Sequence, residues 1–328
     1  MDRPLLHIIS HTDLDGVAAA ALAWHVKGGR VARVSLTGYG EVDALILETL
    51  ASGKEPLVLD LFCQKEQTID EVDRLYDEAR PPFLFDHHKS TFERYGNRKW
   101  AVIDTNYCGA LVYWNWMSER AQDSRTKEAL ARLEPIVRIA NDRDLWLGQI
   151  PESRLWQALV TMCGHWGMFA RLAANPSAEL TPEEYDGASE FTERQEARFA
   201  EAKEHIWRHG AELAFLCDGI LEYGDVSDFC GLLLDRDENP PEVAAVAARR
   251  LGGDWAVSMR SRDGRVLALL KDGKKVRGGG HGDASALYFP RNYTQEQMRD
   301  SILAAIKVEK ERSAAPKVTL GDLFKGLA

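Results

Sequence analysis

The sequence is poor in cysteine. It has five among 328 residues (Cys63, Cys108, Cys163, Cys217, Cys230), and none falls into a CxxC spacing. An odd, scattered set points neither to a disulfide framework nor to a thiolate zinc site, and reads as buried free thiols. Also missing is any apolar run near the roughly 20 residues that cross a bilayer, and the first ten residues lack the regions of a signal peptide. The expectation is a cytoplasmic protein with no membrane partner. Excess positive charge is absent too: 41 Lys and Arg face 51 Asp and Glu, a formal net charge of -10. Coating of long nucleic acid depends on many Lys and Arg contacts to phosphate and is therefore disfavoured. Small anions stay open wherever positive charge is local or supplied by metal.

A hydrophobic fraction of 45% and nine tryptophans fit a globular chain, and its length suggests two domains. Residues 5–10 (LLHIIS), 31–37 (VARVSLT), 57–62 (LVLDLF), 83–86 (FLFD) and 100–104 (WAVID) are short apolar segments that read as buried strands. Helical patterns near 16–27, 41–52 and 65–79 alternate with the first four, as in a parallel sheet covered by helices. Helices dominate from Gly109 to about Ala174. Thr181, Pro182 and Glu184 have the spacing of a capped helix start, so 181–210 reads as a connecting helix. The fold class is α/β: an N-terminal domain over 1–180, that helix, a smaller α/β domain over 211–312 ending in a helix near 294–311, and a tail over 313–328.

Chemistry-bearing residues collect at the ends of the predicted strands. His11, Asp13 and Asp15 follow the first strand in HTDLDG, Asp60 ends the third, and Asp86, His87 and His88 end the fourth. Asp142 and Asp144 follow an apolar helix in IVRIANDRDLW. Any one of these has a structural explanation as a cap, a turn residue or a core histidine. Several strand ends delivering carboxylate and imidazole to one edge of an open α/β sheet point instead to a ligand site. Oxygen and nitrogen donors without sulfur suit Mn²⁺ or Mg²⁺, with Co²⁺, Fe²⁺ and Zn²⁺ also allowed by ligand type. Two such ions about 3.5–4 Å apart can drive an in-line phosphoryl displacement without a protein nucleophile.

HTDLDG, the aspartate of LVLDLF, DHH and NDRD resemble, in order, the four motifs of DHH phosphoesterases. The HxDxDG form looks more like the oligoribonuclease (nanoRNase-like) and cyclic-nucleotide phosphodiesterase branch than the RecJ-type exonucleases. The resemblance implies two divalent metal ions, Mn²⁺ first. It assigns His11 and Asp13 to one metal, and Asp15, His87 and a motif-four aspartate to the other, with Asp60 as the bridge. It also gives Asp86 a supporting role and His88 a contact with the scissile phosphate. For the fourth motif Asp142 is preferred and Asp144 is the runner-up.

Arg277, Gly278, Gly279, Gly280 and His281 open a second constellation, read as a glycine run ahead of a helix, where backbone N–H groups can approach a phosphate. Residues 260–277 hold seven basic groups against two acidic ones in an otherwise acidic chain. Arg260, at a strand end, and Arg277, opening the glycines, are the phosphate-contact candidates. The segment resembles the GGGH substrate domain that accompanies DHH proteins, and VSMRS matches its partner motif. Arg277 departs from the small or apolar residue many relatives carry there. That second domain also argues against a soluble inorganic pyrophosphatase.

The resulting expectation is hydrolysis of short oligonucleotides or linear dinucleotides at a phosphodiester placed between the domains. Cyclic mono- or dinucleotides and phosphoadenosine phosphate are alternatives of the same class, and a non-catalytic metal-dependent nucleotide sensor is the rival of another class. In the tail, Leu320, Leu323 and Phe324 resemble sliding-clamp docking motifs without the leading Gln, although packing on the chain's own domain or in a homodimer is the preferred reading.

Overall fold

The first apolar segment forms strand β1 (Leu6–Ser10), buried along its whole length. In this computed structural model the described residues are 4–77, 80–217, 219–222, 224–262, 266, 277–280 and 284–314. After β1 come α1 (Leu14–Lys27), β2 (Val31–Leu36), α2 (Val42–Ala51), β3 (Glu55–Leu59), α3 (Glu66–Leu75), β4 (Leu84–Asp86), α4 (Lys89–Tyr95) and β5 (Ala101–Ile103). The five strands form one sheet in the order β2-β1-β3-β4-β5, parallel throughout. This is a doubly wound order, whose direction reverses between β1 and β3.

Side-chain alternation divides the core in two. Ile8, Leu57, Leu59 and Phe85 face α1 together with α5 (Gly109–Ser118), α6 (Ser124–Asp144) and α7 (Ser153–Ala174). Ile9, Val58 and Leu84 face α2, α3 and Trp100 on the other side. α1 is buried from Leu14 to Ala23, and its alanines let it pack against α5, α6 and α7.

The chain divides into two units, Met1–Glu193 and Arg194–Ala328, the division falling inside α8 (Pro182–Glu204). α8 starts with the expected reciprocal cap: Thr181 Oγ1 accepts from the Glu184 N–H at 3.2 Å, and Glu184 Oε2 accepts from the Thr181 N–H at 2.9 Å. The second unit contains β6 (Trp207–His209), β7 (Leu213–Leu216), α9 (Asp225–Asp235), β8 (Val243–Arg249), β9 (Trp255–Arg260), β10 (Arg277–Gly280), β11 (Ala284–Phe289) and α10 (Gln295–Ala314). Its sheet runs β10-β11-β9-β8-β7-β6 and is antiparallel except for the β7–β8 pair. One face packs on α10 through Met298, Ile302 and Ile306, the other on α9 through Phe229 and Leu233.

The structure corrects several expectations. β3 stops at Leu59, so Asp60 lies just beyond the strand rather than in it. Asp142 and Asp144 belong to the last turn of α6 rather than to a loop after it. The glycine run leads into no helix: it is β10 itself, paired antiparallel with β11. All five cysteines are free, but Cys163 is exposed and Cys217 half-buried. No helix among the described residues is long and apolar enough to cross a membrane. His281 and the tail motif at Leu320, Leu323 and Phe324 lie outside the described residues.

Candidate metal centre

Parallel strands end together, so the residues that follow β1, β3 and β4 meet at one edge. His11 and Asp13 lie in the turn between β1 and α1, where Asp13 caps the helix by accepting from the Gly16 N–H at 3.0 Å. That turn is tight: a Cβ on Gly16 would meet the His11 carbonyl oxygen at 2.5 Å. Asp15, in the first turn of α1, is buried, and its two oxygens accept from the backbone N–H groups of Gly109 at 2.6 Å and Ala110 at 2.8 Å. The start of α5 thus orients this carboxylate, as a helix N-terminus favours an anion.

Asp60 is buried and held at φ 59°, a left-handed conformation uncommon for a residue with a side chain. The turn brings its carboxylate within 3.3 Å of His87 Nε2 and 3.7 Å of His11 Nδ1. Gly109 packs directly against it, since a Cβ there would lie 2.8 Å from the Asp60 Cβ. His87 Nε2 also lies 3.9 Å from Asp15 Oδ2 and 3.5 Å from Asp144 Oδ2. Behind it, buried Asp86 accepts from the His87 N–H at 2.8 Å and pairs through Oδ1 with His88 Nδ1 at 2.7 Å.

Three sets of donor atoms are close enough to share an ion: His11, Asp13 and Asp60; Asp15, His87 and Asp144; and Asp60, Asp86, His87 and His88. His11, Asp13, Asp15, Asp60, Asp86, His87 and His88 are therefore brought together. Asp142 is not among them. Its carboxylate accepts from the N–H groups of Gln149 at 2.7 Å and Ile150 at 3.1 Å and from Ser153 Oγ at 2.7 Å, and so ties the loop after α6 to α7. Of the two aspartates, Asp144 is the one whose carboxylate lies among these donor atoms. In the second unit, Arg260 ends β9 and donates to Ser227 Oγ at 2.8 Å and to the Met259 carbonyl at 2.9 Å.

Charge in this cluster is unbalanced by the protein alone. Burial, then the charges of Asp15 and Asp13, push Asp60 and Asp144 well above the usual carboxylate range. Buried Asp60 Oδ2 has no hydrogen-bond partner among the described residues. Burial pulls the His88 imidazole down, but the charge and hydrogen bond of Asp86 outweigh it and raise the group to about 9. His87, dominated by burial and the His88 charge, is pushed down and kept neutral, the form that ligates metal. Crowded carboxylates, a neutral imidazole and an orphaned oxygen fit divalent cations, and the all oxygen and nitrogen donor set fits hard or borderline ones.

Sequence reasoning missed Gly109, Ala110 and Tyr39. The Tyr39 hydroxyl lies 3.4 Å from His88 Nε2, and its ring centroid lies 6.0 Å from that of His11. The GYG context of Tyr39 and the Cys-Gly start of α5 were the available signals, and neither is specific.

A parallel sheet with an acidic and imidazole cluster at its carboxyl edge makes this an α/β protein with a candidate metal site. Among solved structures, the chain is similar to the exonuclease RecJ bound to manganese, with TM-score 0.57, 15% identity, and coverage of 97% of this chain and 94% of that one. It is also similar to CDC45 from Entamoeba histolytica (TM-score 0.55, 9% identity, 93% and 95% covered). RecJ in complex with Mn²⁺ from Thermus thermophilus matches with TM-score 0.54 at 13% identity over 95% of this chain and 52% of that one. No family model matches the sequence. No curated protein matches it either. At these identities the likeness is one of fold.

Proposed function

We propose that the chain is a metal-dependent phosphodiesterase that hydrolyses short oligonucleotides or linear dinucleotides to mononucleotides. The observation that carries this reading is the placement of Asp60 in two donor sets at once, with one oxygen unpartnered. The fold shared with RecJ, seen bound to manganese, supports it. His11 and Asp13 would hold one divalent cation, Asp15, His87 and Asp144 a second, and Asp60 both, with Mn²⁺ preferred. Bound cations of this kind supply the positive charge that an in-line phosphoryl displacement requires.

The chain's own residues do the rest. The Gly109 and Ala110 amides fix the direction of Asp15, as the partners behind metal ligands do. Asp86 holds His88 as a protonated imidazolium near neutral pH, a donor for an oxygen of the scissile phosphate. In the second unit Arg260 offers a guanidinium, and β10, paired on one side among the described residues, offers glycine backbone N–H groups. Arg260, Arg277, Gly278, Gly279, Gly280 and His281 are assigned to the substrate's terminal phosphate.

The test is incubation of the Mn²⁺-loaded protein with pApA, cyclic dinucleotides and phosphoadenosine phosphate, with products separated by chromatography. Release of mononucleotide from pApA is the expected result. Tight binding without turnover would make the protein a sensor, and preferred cleavage of another substrate would move the specificity.

A further inference from the structure

The turn that stops α6 holds a tryptophan where a glycine would cost less. The Asp142 carbonyl accepts from the Leu147 N–H at 2.9 Å and the Arg143 carbonyl from the Trp146 N–H at 3.4 Å, with Trp146 between them in the left-handed conformation at φ 55°. Glycine usually fills that position of a helix stop, because a Cβ there crowds the following carbonyl oxygen. For a bulky aromatic residue the conformation is a true outlier.

The chain holds Trp146 there against that cost. The Asp142 carboxylate accepts from the Gln149 and Ile150 N–H groups and from Ser153 Oγ, and so pins the far side of the turn. Burial offsets little of the strain, since Trp146 is 38% exposed and Leu147 beside it is exposed as well. An exposed aromatic on its own is ordinary. One kept in strained backbone points to a use for the side chain itself.

Its position narrows that use. Asp144, which shares a donor set with Asp15 and His87, precedes Trp146 by two residues, so their Cα atoms lie within about 7 Å of each other. The Arg143 guanidinium packs on the Trp146 ring, 4.1 Å from its centroid, and its charge also acts on Asp144. A cation–π contact thus sets the orientation of an exposed indole beside the metal-donor cluster.

Resting on the phosphodiesterase reading above, we propose that Trp146 is the platform on which a base of the nucleotide substrate stacks while the adjoining phosphate lies at the metal donors. Every nucleobase has a face that an indole can stack on, so this platform recognises a base without selecting among bases.

The test is calorimetric titration of the Mn²⁺-loaded full chain with AMP and with ribose 5-phosphate, which share the phosphate and differ in the base. The wild type should bind AMP about tenfold more tightly or better. In Trp146→Gly, where glycine suits the left-handed position, that preference should fall to near unity through loss of AMP affinity, with bound metal and circular dichroism unchanged. Trp146→Tyr, which keeps an aromatic face, should retain part of the preference, and Trp146→Leu, which keeps bulk without one, should lose it. That pair carries the test if the glycine variant is unstable. Equal wild-type affinity for AMP and ribose 5-phosphate, or a preference that survives in Trp146→Gly or Trp146→Leu, would overturn the platform. If the wild type shows the expected binding pattern but does not hydrolyse pApA, the platform stands and the hydrolytic reading fails by itself.

Discussion

His7 and His11 lie four residues apart, one inside β1 and one just past its end, and their surroundings treat them in opposite ways. His7 Nδ1 meets Thr49 Oγ1 at 2.5 Å and Nε2 meets Ser35 Oγ at 2.8 Å, and burial lowers its pKa to about 4. It is a neutral, satisfied core histidine. His11 has Asp13 at 2.7 Å and is pushed up by that carboxylate's charge. Within the sheet, polar groups are closed off by partners on neighbouring elements. At its carboxyl edge they converge on one another and leave Asp60 Oδ2 unpartnered. One residue type thus serves the fold or a candidate site according to where on a parallel strand it falls.

The change expected to break this contrast most severely is at the edge. Asp60→Asn, chosen because Asn tolerates the positive φ better than Ala, should lower Mn²⁺-dependent pApA hydrolysis by roughly a thousandfold or more in a protein with native circular dichroism. Substantial activity in that variant would remove Asp60 from the centre. The two motif-four aspartates sharpen the point. Asp144→Asn should lose on the order of a hundredfold in activity together with bound metal. Asp142→Ala should instead lower the urea midpoint by the equivalent of about 1–3 kcal/mol, because three donors lose their acceptor. The reverse pattern, read from metal analysis and unfolding curves together, would restore Asp142 as the ligand.

His7 supplies the complementary test inside the sheet. Its folded pKa, about 4, lies below the ordinary 6.5, so the unfolded chain takes up the proton first as pH falls. The stability it contributes is full above 6.5 and is lost between 6.5 and about 4. Between pH 7.5 and 5 that amounts to about 2 kcal/mol. His7→Gln should flatten this part of the stability profile measured by urea unfolding, whatever it does to stability at neutral pH. An unchanged acid limb would mean that other groups set it.

The smallest effect is expected in the second unit. Arg260→Ala should lower kcat/KM for pApA by about tenfold, leave metal content unchanged, and cost less on bis(p-nitrophenyl) phosphate. Equal losses on the two substrates would deny Arg260 a role in holding the terminal phosphate.

The strands, the parallel sheet covered by helices and the convergence of His11, Asp13, Asp15, Asp60, Asp86, His87 and His88 were legible in the sequence. Apolar runs locate buried strands, and in a parallel sheet the residues just after them share an edge whatever the details of packing. The glycine run was not legible, because glycines carry no side-chain period to tell a strand from a loop, and only pairing with β11 made Arg277–Gly280 a strand. Asp142 and Asp144 show the limit most clearly. Two residues apart on a helix, they point about 200° away from each other, so one alone can face the sheet edge. Which one does so depends on how α6 is rotated against α1 and α5, and that rotation is set by Leu133, Ile136, Val137 and Ala140 packing into the core. The sequence alone determined that an aspartate would arrive at the end of this helix; the tertiary packing decided that it was Asp144, and turned Asp142 to the backbone of the following loop.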